Sequence, residues 1–443
     1  MLKVFLWLRY LRKKKIVFLS IAAVAVSTAL LIVVSNLFNG FINAFEGAAT
    51  EMLGDVVIAP PVKFTGYTEL IEQLKQDPDV EAATATLSVP GLLNLGEGNV
   101  RAVVISGIEP ASKAAVTGFK SSLLEQKNSV GPPSFSLRQA KEGIGGFVGI
   151  GVIAEPDEKT DEYDFAAIDK MIGQEVVVTT GTASEEQSGQ IRRRVIKFAI
   201  SDIVFTGAYY LDKTFIYLPI EELQKAVQPG EDGKVADQIQ IKLASGVPPE
   251  ASLGRIREIW SRFAKEHLQW NDFLIEQTGI ATSKQMQAQY VAEFRKQMDI
   301  LMLIFGVVSL SVVMLIFCIF YMIVVTRLKD IAIIKSCGAT DFSAGVIFLG
   351  FGGCVGIGGG VLGTLIAAII TRNINAIEGW IRILFGLKLW KSSTYMFSKI
   401  PNEMDWSAAM PIVIFAVIAA AIGALVPAII AARTRPVEVL RYE

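Results

Sequence analysis

Four long stretches of this chain contain no charged residue: Ile16–Phe45, Ile300–Val325, Phe342–Thr371 and Ser407–Ala432. Each exceeds the roughly 20 apolar residues that an α-helix needs to cross a bilayer. An ionised side chain at the centre of a span costs roughly 2.5–3.5 kcal/mol, whereas Leu, Ile, Phe and Val each gain a few tenths. Uncharged runs of this length therefore predict spanning helices. The first is longer than the apolar core of a signal peptide and no small-residue cleavage pattern follows it, so it reads as a retained span.

The spacing of the runs predicts an α-helical membrane protein. Four transmembrane helices, one and then three, flank a large α+β extracytoplasmic domain inserted between the first and the second. In residues this gives a leader at 1–15, the first span at 16–45 and an outer domain of two subdomains at 46–281. A stalk and second span follow at 282–326, a short helix at 327–341, the third span at 342–371, an outer, interfacial loop at 372–406, the fourth span at 407–432 and a tail at 433–443. Lys3, Arg9, Arg12 and Lys13–Lys15, then Arg327, Lys329 and Lys335, then Arg433, Arg435 and Arg441 fall on one side of this layout. The positive-inside bias makes that side cytoplasmic, with both termini on it. The 372–406 loop carries Arg372, Arg382, Lys388, Lys391 and Lys399 on the outer side, and Trp380, Trp390 and Trp406 place it along the membrane interface.

Composition removes several function classes. The formal net charge is −1, so nucleic acid is not indicated. Cys318, Cys337 and Cys354 lie in or beside spans, and His267 is the single histidine, so neither a disulfide framework nor a metal site is expected. The chain has no phosphate-binding G-x-x-x-x-G-K-[ST], no G-x-S-x-G and no H-E-x-x-H. No carboxylate stands inside an apolar run to relay a proton. The chain reads as neither an enzyme nor an ion-coupled carrier, with no cofactor of its own; energy must come from another subunit.

In the outer domain, strands are expected at Asp55–Ala59, Val100–Ile105, Glu175–Thr179, Arg194–Phe205, Thr214–Tyr217 and Gln238–Leu243. Helices are expected at Thr68–Gln76, Glu221–Val227 and Glu250–Leu268, the last with Leu253, Ile256, Trp260 and Phe263 at helical spacing. Ser121–Lys170, rich in Gly, Pro and Ser, reads as an insertion between the two subdomains. Thr282–Gln297 runs without a breaker into the second span, which predicts one helix of roughly 40 residues and about 60 Å.

Between the second and third spans stands RLKDIAIIKSCGAT, Arg327–Thr340. Leu328, Ile331 and Ile334 share a helical stripe with Lys329, Asp330 and Lys335 off it; Gly338 is a C-terminal stop and Asp341 the cap of the next helix. Two readings fit: a basic loop that anchors topology, or a helix on which an external motor pushes. In the third span, Gly358, Gly360 and Gly363 imitate a dinucleotide-binding loop, but they sit inside a run of spanning length. Gly352/Gly356 and Gly359/Gly363 are small-xxx-small pairs, which let helix backbones approach closely in lipid.

Several passages resemble the permease subunits of lipoprotein-releasing (Lol-type) ABC transporters, within the superfamily of MacB-like and FtsX-like permeases. They are RYLR (Arg9–Arg12) with a first span ending in NGF (Asn39–Phe41), SGIEP (Ser106–Pro110), FTGAYYLD (Phe205–Asp212) followed by FIYLP, KDIAIIKSCGAT (Lys329–Thr340) and RPVEVLRYE (Arg435–Glu443). Ile334–Lys335 stands where the family usually has Leu-Arg, and Gln126–Lys170 departs from its pattern. The resemblance implies a permease in the bacterial inner membrane with its large domain in the periplasm, paired with an identical or different second permease. ATP and Mg would be bound by separate ABC ATPase subunits. Arg327, Lys329, Asp330, Ile331, Ile334, Lys335 and Gly338 would form the coupling helix, with Ile331 and Ile334 packed on the ATPase. The acyl chains of a lipoprotein would enter a cavity near Asn39, Phe41, Phe45, Met298 and Phe305, and pass to a periplasmic carrier; membrane lipids are further partners. The alternative is a MacB-like efflux or FtsX-like signalling permease without a lipoprotein substrate.

Overall fold

A computed structural model describes residues 15–434 except Glu97, 138–142, 158–160, 184–190, 229–233, Arg327, Cys337, Ala339, Leu387, Leu389 and 392–399. The chain divides into two compact units. One comprises Met1–Asn43, Val291–Gly379 and Ile400–Glu443; the other comprises Ala44–Tyr290 and Trp380–Lys399. The principal helices are α1 (Lys15–Leu53), α2 (Tyr67–Lys75), α3 (Pro110–Val116), α4 (Ile220–Val227), α5 (Pro249–Glu266), α6 (Ala288–Thr326), α7 (Leu328–Ser336), α8 (Asp341–Arg372), α9 (Ile374–Phe385) and α10 (Trp406–Arg433). The strands are β1 (Val56–Ala59), β2 (Phe64–Thr65), β3 (Val80–Asn94), β4 (Val100–Ile108), β5 (Gly145–Gly149), β6 (Glu175–Ala183), β7 (Ile191–Val204), β8 (Phe215–Pro219), β9 (Val235–Ala236), β10 (Gln238–Leu243) and β11 (Gly279–Thr282).

Among the described residues, four segments are long and apolar enough to cross a membrane: Val17–Leu53, Val291–Thr326, Asp341–Arg372 and Trp406–Arg433. Val17, Val24, Phe320, Val324, Phe348, Val355 and Ala424 bury one another between them. Ile300, Leu303, Val307, Leu310 and Met314 of α6 point outward and are exposed, as suits side chains whose solvent is hydrocarbon rather than water.

α6 begins later than the sequence suggests. Thr282 is still paired in β11, opposite Val56. Its hydroxyl then caps the short turn Ser283–Met286, reciprocated by Gln285. The long helix starts at Ala288, and its 39 residues span about 58 Å at 1.5 Å each. The capping box supplies a start signal that outweighs the helix-forming residues around it.

The other unit is built on β3, a 15-residue strand. Its first half pairs with β10, which continues antiparallel through β1 to β11. Its second half pairs with β4 along one edge and with β6 along the other. Because β4, β8, β5, β7 and β6 follow one another in hydrogen-bonded order, these six strands close on themselves. A methyl group at Gly91 would lie 2.7 Å from Ile105 Cδ1 and 3.1 Å from the Thr179 carbonyl, so the closure needs glycine there. One apolar cluster runs along the whole sheet, from Val56, Ile239 and Trp260 to Phe198, Ile200 and Leu218. α5 lays Ile256, Trp260 and Phe263 into it, with Phe64 edge-on to Trp260 at 5.3 Å.

The Ser121–Lys170 stretch therefore does more than separate two subdomains, because it contributes β5 to the closed ring. A Cβ at Gly146 would lie 2.6 Å from Phe198, and one at Gly149 would strike the Asp212 carbonyl. Gly145, Gly146 and Gly149 are packing requirements within β5.

Candidate functional site

The helix between the second and third spans forms where expected, but its apolar stripe faces inward. Ile331 is 5% exposed and packs in the same cluster as Val17, Phe320, Val324 and Phe348. Ile333 is the outward apolar side chain, 52% exposed, and Lys329 is exposed as well. Within the chain, Ile331 is covered by its own bundle. Flanked by two spans, the helix satisfies its stripe against its own bundle before any partner arrives. The same holds for Lys335. Its Nζ donates to the carbonyls of Ala432 at 2.7 Å and Thr434 at 2.6 Å, and pairs with Asp341 Oδ1 at 2.7 Å. A cation there satisfies the free carbonyls and the negative end of α10. Lys335 thus braces the end of α10 within the chain. Gly338 is exposed with φ +97° and stops the helix; its N–H donates to the Lys335 carbonyl at 3.0 Å. Thr340, not Asp341, caps α8 and accepts from Ser343 N–H at 3.2 Å. Arg327 and the side chains of Asp330 and Ile334 lie outside the described residues.

At the other end of the bundle, Asn39 and Met298 line a cavity of about 310 Å³ with Ile42, Asn43, Arg295 and Asp299. Phe41 meets Phe294 edge-on at 4.9 Å and ties α1 to α6. Phe41 and Phe305 are half-buried and do not line the cavity, while Phe45 belongs to the other compact unit. Two asparagines, an arginine and an aspartate make most of this cavity's wall, while Val24, Leu31, Val312 and Ile316 line a second, apolar one between α1, α6 and α10. Sequence reasoning passed over the anchoring role of Asn36 and Asn39. Asn39 Nδ2 donates to Asp405 Oδ2 at 2.9 Å, and Asn36 Oδ1 accepts from Asp405 N–H at 3.2 Å. Asp405 also caps α10 by accepting from Ser407 and Ala408. The hydrogen bond from the Ser407 hydroxyl, first, and those of Ala408 and Asn39 hold its carboxyl below the usual range.

Gly352, Gly356, Gly359 and Gly363 of α8 divide into two contacts. Cβ atoms at Gly352 and Gly356 would lie 2.5 Å from Ala424 Cβ and 2.8 Å from Val417 Cα of α10. At Gly359 and Gly363 they would lie 2.5 Å from Val24 Cβ and 2.7 Å from the Ala25 carbonyl of α1. One glycine pair thus seats the last span and the other the first.

Two buried ionisable groups of the outer unit carry no sequence signal beyond their letters. Lys113 donates its ammonium to the Met52 carbonyl at 2.7 Å and to Gln240 Oε1. Burial lowers its pKa to about 7. Asp212, in the FTGAYYLD passage, accepts from Thr206 N–H at 2.7 Å, Thr206 Oγ1 at 2.8 Å and Gly207 N–H at 3.0 Å. Burial raises its pKa to about 6 against those bonds. Both groups are structural latches. Among the described residues, no three His, Cys, Asp or Glu side chains gather where a metal ion could be held.

No family model matches the chain. Over its full length it is similar to the lipoprotein-releasing system transmembrane protein LolC of Neisseria meningitidis serogroup B, at 24% identity, covering 100% of this chain and 99% of that one. LolC of Xylella fastidiosa matches at 24% with the same coverage. The lipoprotein-releasing system transmembrane protein LolE of Haemophilus influenzae matches at 24%, over 95% of this chain and 93% of its own. Among solved structures, the periplasmic region of MacB from Actinobacillus actinomycetemcomitans aligns with a TM-score of 0.32 at 10% identity, over 54% of this chain and 93% of that one. The extracellular domain of the noncanonic ABC-type transporter YknZ from Gram-positive bacteria aligns with a TM-score of 0.27 at 12% identity, over 48% and 94%. The resemblance drawn from the sequence passages is thus met by relatives that match from end to end.

Proposed function

From this end-to-end similarity to lipoprotein-releasing system proteins, we propose that the chain is the permease subunit of an ABC transporter that releases lipoproteins from the outer leaflet of the inner membrane to a periplasmic carrier. It works as one of a pair with a second permease, and both termini lie in the cytoplasm. ATP and Mg act in separate ATPase subunits. The full-length match carries this reading, and two features of the fold support it. α6 is one unbroken helix of 39 residues, able to pass a displacement along its length. α7 is braced to α10 by Lys335 and to the bundle by Ile331, so a push on its outward face, Lys329 and Ile333, moves the bundle instead of unfolding a loop.

The cavity at Asn39 and Met298 suits the polar linkage of a lipid-anchored chain, with Arg295 and Asp299 as hydrogen-bonding partners. Acyl chains would run instead along the apolar outward face of α6 at Ile300, Leu303 and Val307. Each CH₂ taken from lipid forfeits about 0.8 kcal/mol, which is why release requires ATP. A photo-crosslinking residue at Phe41 or Met298 in the intact, ATP-hydrolysing complex should trap lipoproteins. Absence of adducts in an active complex, with lipoprotein sorting intact after depletion, would favour an efflux or signalling permease instead.

A further inference from the structure

α9 starts one residue after α8 ends at Arg372, so it begins where the chain leaves a helix of membrane-spanning length. Asn375 holds that point to the chain before α10: its Nδ2 donates to the Ile400 carbonyl at 2.9 Å, and Ile400 N–H donates back to Asn375 Oδ1 at 3.0 Å. Six residues later the next spanning segment begins at Trp406. α9 then carries large apolar side chains with nothing over them. Trp380 is 73% and Ile383 80% exposed, and Leu384 and Phe385 are comparably open. At 100° per residue, Trp380, Ile383 and Leu384 share one side and Arg382 falls opposite.

The polar side is engaged. Arg382 pairs with Glu162 at 3.0 Å, and Lys388, just beyond the helix, pairs with Asp161 at 3.5 Å, both partners of that second pair little exposed. Asp161 holds φ at +52°, a left-handed conformation that a non-glycine residue adopts at a cost. These acids belong to the Gly/Pro/Ser-rich stretch that departs from the Lol-type pattern.

We propose that α9 is an interfacial helix whose Trp380–Ile383–Leu384 side lies in the outer lipid surface, and that the Asp161–Glu162 turn clasps its polar side to fix its depth and rotation. An exposed apolar patch marks an interaction site. Three observations make its partner a lipid surface. The patch follows a spanning helix in the chain, it carries a tryptophan of the type that gathers at headgroup level, and exposed Lys391, six residues beyond α9, brings a charge suited to lipid phosphates. Such a helix buries its apolar side about 5–10 Å into the headgroup–acyl boundary. The departing stretch thereby gains a role as the outer brace of the loop between the third and fourth spans.

The test uses the full chain with Cys318, Cys337 and Cys354 replaced by alanine, in vesicles of phosphatidylethanolamine and phosphatidylglycerol. Single spin labels are placed at Trp380, Ile383, Leu384 and exposed Lys391. Collision with oxygen should exceed collision with a water-soluble nickel chelate at the first three and fall below it at Lys391. Nickel contact at all four positions overturns the proposal in favour of water. Exclusion of both reagents overturns it in favour of a protein cover such as a second copy. The double variant Asp161→Asn, Glu162→Gln should raise label mobility at Ile383 and flatten the oxygen–nickel contrast; an unchanged spectrum removes the clasp.

Discussion

α7 and α9 are two short amphipathic helices, each set between spans, and they resolve the same problem in opposite ways. α7 turns Ile331 and Ala332 into the bundle and shows Lys329 and Ile333 to the outside. α9 turns Arg382 inward to an ion pair and leaves Trp380, Ile383 and Leu384 open. An apolar stripe states that a helix face needs an apolar neighbour. It does not state whether that neighbour is protein or lipid. What decides is the other face: Lys335 of α7 finds backbone carbonyls and Asp341, whereas the basic residues of the α9 segment find Asp161 and Glu162.

The sharpest way to break this contrast is a matched pair of substitutions on α7. Ile331→Glu would bury a carboxylate among Val17, Phe320 and Phe348, and should cost about 4 kcal/mol or more, seen as loss of monodisperse protein in detergent. Ile333→Glu, two residues on, should stay within about 0.5 kcal/mol of the parent. It should instead abolish co-purification of the proposed ATPase partner. If Ile333→Glu destabilises as much as Ile331→Glu, the inward–outward assignment is wrong.

Buried cations sharpen the comparison further. Lys113 has two neutral acceptors, and burial lowers its pKa to about 7 from an unfolded value of about 10.4. With the folded pKa below the unfolded one, the unfolded chain binds more protons between those values, so stability rises with pH across that window at up to about 1.4 kcal/mol per unit. Thermal unfolding of the full chain at pH 7 and pH 9 should show a rise that Lys113→Met removes; an equal rise in the variant assigns the effect elsewhere. Lys335→Met strands the Ala432 and Thr434 carbonyls, and should cost about 2 kcal/mol, read as a lower melting temperature.

The spans, the strand segments around Val100, Glu175 and Gln238, and the packed stripe of α5 were legible because periodicity and charge exclusion act locally. β3 was not, since VEAATATLSVPGLLN is rich in Ala and interrupted by Pro90–Gly91. Those residues are tolerated where the ring closes: Thr180 Oγ1 donates to the Pro90 carbonyl at 2.8 Å, and the Gly91 position has no room for a side chain. β5 was hidden for the same reason, as GGFVG reads as a loop until Phe198 and Leu218 are seen against Gly146. At the candidate sites, the helix of Lys329–Gly338 could be read, but its direction could not, because the partner of Ile331 lies on other spans. The cavity's polarity was hidden too: Arg295 and Asp299 come from a segment whose pairing with Asn39 is set by helix packing.

α8 offers the finest test of when an apolar helix face meets protein and when it meets lipid, because both occur within four residues. A Cβ at Gly356 would sit 2.8 Å from Val417 Cα and 3.0 Å from Ala420 Cβ, so α10 must retreat to admit even a methyl group. Gly353 has nothing within 4 Å. Alanine is the better helix former by about 1 kcal/mol, so Gly353→Ala should be neutral or stabilising. Gly356→Ala gains the same propensity but overpacks, which costs about 1–3 kcal/mol, and the net should be destabilising by about 1 kcal/mol. Melting temperatures of the two variants in the same detergent measure the difference directly. Equal values would mean that α8 and α10 do not meet at Gly356, and the close backbone approach that seats the fourth span would have to be placed elsewhere.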